Sequence, residues 1–213
     1  MKRLLSTLVF ILAILVTVPG IAQDTKQMKK DIDKKAMKQA RKQAKELKKD
    51  GFKVDPGQMP MDKQIEDTWL KRAEVDENGN KMWFVANAKA VGETHTAAKL
   101  QASEVAKVNL AGQIGTEVVG LVETTIANAQ LSPDEAESVT ETVAAFQSKI
   151  GAKIGRTTTL FEASRGKGDV TEVFITLGYN YADAVRIAKD IIRKDLKEKA
   201  NIQSDKLDEL LDF

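Results

Sequence analysis

Leu4 to Val18 is an almost unbroken apolar run behind Lys2 and Arg3. From Lys26 to Lys49 the apolar positions thin to one stripe: Met28, Ile32, Ala36, Ala40, Ala44 and Leu47. These residues recur every three or four positions in a stretch rich in Lys, Gln and Ala without Gly or Pro. The spacing predicts a helix that ends at Asp50-Gly51, where Gly supplies the left-handed residue. Gly51 to Met61 reads as a linker, punctuated by Asp55-Pro56-Gly57 and Pro60. Asp62 is expected to cap a short helix to about Ala73, with Ile65, Trp69 and Leu70 on its apolar side. Asp76-Glu77-Asn78-Gly79-Asn80 is a turn, and a domain boundary is expected near residue 80.

Beyond it, Lys81 to Ala90 alternates as a strand does, with Met82, Phe84, Ala86 and Ala88 on one face and Trp83, Val85, Asn87 and Lys89 on the other. Gly92 closes that strand. A long helix is predicted from about Thr94 to Ala129, Ala-rich at first, then carrying Ile114, Val118, Leu121, Val122 and Ile126. Gly112, Gly115 and Gly120 within it suggest close packing or a kink. Ser132-Pro133-Asp134-Glu135 is a capping box with Pro at the first helical position. The seam that follows, Ala136, Val139, Val143, Phe146 and Ile150, has a 3-4-3-4 spacing. Two strands, Thr157 to Ser164 and Val170 to Tyr179, flank a hairpin loop at Gly166-Lys167-Gly168. Asn180 caps a last helix to about Lys199, and a tail holds Leu207, Leu210, Leu211 and Phe213. Strands and helices in this order predict an α+β fold. We expect a two-layer sandwich, its three-stranded, mainly antiparallel sheet carrying long helices on one face, plus an N-terminal helical arm. Ile114, Val118, Phe146, Phe174 and Ile192 are the expected core between helices and sheet.

Residues 1–22 carry the marks of a secretory signal peptide. The apolar run is about 15 residues, short of the roughly 20 that span a bilayer. Pro19-Gly20-Ile21-Ala22 puts small residues before a cut after Ala22. The expected organisation is a leader over 1–22, a basic helical arm over 23–50, a linker with a short helix over 51–80, a body over 81–200 and a tail over 201–213. The mature protein is expected to be exported, in the periplasm or at the outer membrane, with no transmembrane segment.

The chain has 33 Lys+Arg and 31 Asp+Glu, for a formal net charge of +2. Loss of Lys2 and Arg3 with the leader brings the two signs level, yet they are unevenly spread. Gln23 to Asp50 holds 11 basic and 5 acidic residues, and the rest of the mature chain carries the opposite excess. Arm and body can therefore attract each other, within one molecule or between copies. The arm's cations, Lys34, Lys35, Lys38, Arg41 and Lys42 among them, make it a solvated spacer or a contact for an anionic envelope surface or another subunit. Nucleic acid is not an expected partner of an exported protein.

The absence of Cys and the single His narrow the chemistry. They exclude disulfides, Cys-based zinc sites, thiolate nucleophiles, lipid attached through Cys and any pair of His ligands. His95, at a helix start, is a candidate anion contact or base. Trp83 and Trp69 are candidate core or subdomain contacts, with a ligand platform as the alternative. Gly166-Lys167 lies in a hairpin rather than between a strand and a helix, so it makes no phosphate loop. The acidic pairs near Asp183 and Asp205 match no calcium loop. No catalytic residue, metal or cofactor is expected.

The runs Ala86-Asn87-Ala88-Lys89-Ala90-Val91-Gly92, Ala97-Ala98-Lys99-Leu100-Gln101-Ala102 and Ala106-Lys107-Val108-Asn109-Leu110-Ala111-Gly112-Gln113-Ile114 resemble the small envelope lipoprotein family typified by the twenty-kilodalton membrane-associated lipoprotein of Helicobacter. The resemblance covers roughly residues 81 to 200. Gly51-Phe52-Lys53-Val54 and Pro56-Gly57-Gln58-Met59-Pro60 resemble secreted relatives from Bacteroides-type bacteria. It implies a strand entering a Gly turn, an Ala-periodic helix and a hairpin, with a structural or assembly role in the envelope and no catalytic residue to carry over. This chain departs from the family in lacking a lipobox Cys. The expected function is that of a non-enzymatic envelope protein acting through assembly, as a homo-oligomer or on an outer-membrane or cell-wall partner. The alternative is a periplasmic module that binds a small ligand or glycan through Trp83 and the hairpin.

Overall fold

The computed structural model describes residues 21–126, 131–199 and 204–212. The expected leader lies outside them except for its last two residues. The elements run α1 (Ile21–Lys49), α2 (Met61–Ala73), β1 (Trp83–Gly92), α3 (His95–Ile126), α4 (Pro133–Lys153), β2 (Thr158–Lys167), β3 (Val170–Asn180), α5 (Tyr181–Lys199) and α6 (Ser204–Leu210). The strands form one antiparallel sheet in the order β1-β3-β2. The fold is α+β, and α3, α4 and α5 lie on one face of the sheet.

Local signals set several boundaries. Gly51 takes a left-handed φ of 86°, and its N–H and that of Phe52 return to the Lys48 and Leu47 carbonyls, which closes α1. Ser132 and Glu135 make both hydrogen bonds of the capping box at α4. The Asn180 side chain accepts from the Asp183 N–H at the start of α5. Gly92 is required by crowding: a Cβ there would stand 2.6 Å from the Ala98 backbone nitrogen. Gly112 and Gly120 in α3 have open space where a Cβ would be, so neither marks a tight contact.

The main core lies between the sheet and α3, α4 and α5. Phe84, Ala86, Ala88 and Ala90 of β1 and Val173, Ile175, Leu177 and Tyr179 of β3 face it. Ala98, Ala102 and Ala106 let α3 lie close to the sheet, and Ile114, Val118, Phe146, Ile150 and Ile192 fill the space beyond. α6 adds Leu207 and Leu210 to the same core, and Leu211 just past its end joins them.

The sheet's other face is covered as well, which adds a third layer. Every residue of β3 from Val173 to Tyr179 is buried, so both of its faces need apolar cover. Phe161, Ala163 and Phe174 pack there against Phe52, Met61 and Ile65, with Ala40, Ala44 and Leu47 of α1 behind them. Phe174 belongs to this second core rather than to the one expected for it. The ring of Phe174 meets Phe52 and Phe161 edge-on, at centroid distances of 6.4 and 5.1 Å. Residue 80 is therefore no break in packing, because the linker and α2 complete the sheet.

Both sheet edges are protected. Lys53 pairs with Ser164 through two 2.8 Å backbone bonds along β2. Asn109 and Gln113 of α3 donate to the Asn87 and Val85 carbonyls on the free side of β1. Cover of this kind hinders strand addition at those positions.

Candidate functional site

The thin stripe of α1 settles how that helix sits. Ala40, Ala44 and Leu47 are buried against α2 and the second core. From Lys34 onward the exposed surface of the helix is mainly cationic. Lys34, Lys35, Lys38, Arg41, Lys42, Lys45, Lys48 and Lys49 are all exposed. Among the described residues none of the eight takes part in a salt bridge, so their charge is directed at solvent. A shallow groove beside α2 gathers Arg41, Lys45, Lys48 and Lys49, with Asp62 as its one carboxylate. Five of these cations are among the candidate interaction residues of the sequence, and all five lie on this docked helix.

A cleft of about 120 Å³ opens between α1, α2 and the sheet. Phe161, Phe174 and Thr176 form its floor, and Trp69, Arg72, Gln43 and Asn87 stand around it. An indole, a guanidinium and two amides suit a small polar group. The volume is well below the roughly 300 Å³ at which ordinary ligand pockets begin. The lining offers no nucleophile paired with a base. The sequence offers Trp69 as a core contact or ligand platform but not the cleft itself, because the cleft's residues come from five separate elements.

Trp83 is half-buried. Its indole N–H donates to Glu74 at 2.9 Å, and the Lys71 ammonium lies 4.5 Å from its ring centroid. Gly178 on β3 gives Trp83 and Leu160 room to meet, since a Cβ there would come within 2.9 Å of the Leu160 side chain.

His95 is the first residue of α3, in the turn that Thr94 caps by accepting from the Ala97 N–H. Its Nε2 stands 4.0 Å from Asp55 Oδ2, and Glu162 of β2 lies beside both. Neither carboxylate is singled out by the sequence. Asp55, His95 and Glu162 are far apart along the chain and follow no motif.

No family model, curated protein or solved structure matches this chain.

Proposed function

We propose that this protein is an exported, non-enzymatic component of the cell envelope that works by contact, through the cationic face of α1. The observation that carries the reading is the division of labour on that helix. Ala40, Ala44 and Leu47 of its apolar stripe are occupied by α2 and the second core, while eight cations are exposed. Over that part of the helix the accessible surface is charged, which favours an anionic partner. The export reading rests on residues 1–22, and the envelope reading also on the resemblance of residues 81–200 to envelope lipoproteins. The partial cover of both sheet edges disfavours assembly by strand pairing. The test is sedimentation with isolated envelope membranes. The mature chain is expected in the membrane pellet at low salt. A variant with Lys34, Lys35, Lys38, Arg41 and Lys42 all replaced by Gln is expected in the supernatant. Equal sedimentation of both proteins would overturn the reading.

The second reading is a binding module, favoured by the Trp69 cleft rather than by Trp83. Its size restricts the ligand to a few non-hydrogen atoms or the tip of a larger chain. Trp69→Ala would abolish such binding while leaving envelope sedimentation intact.

A further inference from the structure

Three metal-ligating side chains converge beside β2. Asp55 comes from the linker just past the Lys53–Ser164 bridge, His95 from the start of α3, and Glu162 from the strand itself. One donor atom from each lies within 4.8 Å of the other two. His95 Nε2 and Glu162 Oε1 are shielded from solvent, and neither has a hydrogen-bond partner among the described residues. The 4.0 Å from Nε2 to Asp55 Oδ2 is too long for a hydrogen bond. Lys99 Nζ approaches Glu162 Oε1 at 2.9 Å as an ion pair, but without hydrogen-bond alignment. Buried polar atoms without partners are uncommon in folded proteins. Here two of them share one small space with a second carboxylate.

We infer that Asp55, His95 and Glu162 bind one divalent transition-metal ion, with Zn²⁺ the best fit. An imidazole nitrogen with two carboxylate oxygens suits zinc, whereas calcium and magnesium take oxygen donors. Zinc stands about 2.0–2.2 Å from such donors, which places tetrahedral donors about 3.5 Å apart. Closing from the observed spacing takes shifts of roughly 1 Å, and Asp55 is on an exposed linker free to make them. The ion would replace the Lys99 ammonium beside Glu162, and that side chain is exposed enough to turn to solvent. Three protein donors leave a coordination position for water or an incoming ligand. The bound ion ties the linker to both the sheet and α3.

The test uses the mature chain without a polyhistidine tag, stripped with chelator and titrated calorimetrically with ZnCl₂. One equivalent is expected to bind, and zinc is expected to raise the melting temperature. His95→Ala and Glu162→Gln are each expected to weaken binding at least tenfold and to lose the thermal shift. Lys99→Gln is expected to bind at least as tightly as wild type. Because His95 is the chain's one histidine, its ring resonances give a readout in the unaltered protein and must move on zinc addition. Ring signals that stay fixed at saturating zinc, or undiminished binding by folded His95→Ala, would overturn the assignment.

Discussion

At Gln64 one buried amide holds separate parts of the chain together. Its Nε2 donates to the Met59 carbonyl and its Oε1 accepts from the Glu162 N–H. The latter bond meets β2 just past the register shift between Thr159 and Phe161. Gln64→Ala would leave both backbone groups without their partner, which is expected to cost about 1–3 kcal/mol. Urea denaturation measures this, and a loss below about 0.5 kcal/mol would show that the bonds are replaceable. Glu135 acts at the other end of the molecule. The Lys206 ammonium bonds its carboxylate, and the Ser132 N–H does so as well, which lowers its pKa from 4.5 to about 2. A depressed carboxylate pKa makes the contribution to stability complete above about 4.5. It declines as pH falls and is gone below about 2. Lys206→Gln is expected to raise the Glu135 titration midpoint, as followed by carboxyl NMR shifts. An unchanged midpoint would mean that α6 does not hold Lys206 there.

Among the elements, α1 is the one whose role depends most on its neighbours. Ala44 is 2% exposed. Ala44→Glu would drive a charged, larger side chain into the second core, at a cost of about 1–3 kcal/mol or more. A lower melting temperature with envelope sedimentation retained is expected, because the outward cations are untouched. Unchanged stability would mean that α1 does not dock. The other elements show what a single sequence discloses. The capping box of α4, the stop at Gly51 and the β2–β3 hairpin rest on neighbouring residues, so their patterns are legible. The second core was not legible. Phe52, Met61, Phe161 and Phe174 meet from three distant segments, and β3 is buried on both faces, so alternation could not assign Phe174 to a side. The Asp55, His95 and Glu162 cluster was hidden for the same reason: long-range contacts of unlike residues leave no spacing to read.

For the whole molecule, the arm and the body are one packed unit. Deleting residues 23–50 removes Ala40, Ala44 and Leu47 from the second core. Full burial of a Leu side chain alone is worth about 1.5–3 kcal/mol. The truncated chain is therefore expected to melt at a lower temperature than the mature protein. An identical transition would restore the arm to the status of a solvated appendage. Charge is unevenly spread over the molecule, because residues 23–50 carry an excess of cations and residues 51–213 an equal excess of acids. The exposed apolar residues of α3, Leu100, Val105 and Val108, are the surface that a homo-oligomer would use instead. The measurement that separates these possibilities is partition of the mature chain onto vesicles of anionic or neutral lipid across a salt series. Each cation near an anionic surface contributes about 1 kcal/mol, and screening sets in beyond roughly 8 Å at physiological salt. Binding to anionic vesicles alone is expected, falling steeply with salt and dropping roughly a thousandfold in the five-Gln variant. Equal partition onto neutral vesicles, or a wild-type curve indifferent to salt and to those five substitutions, would contradict contact through α1.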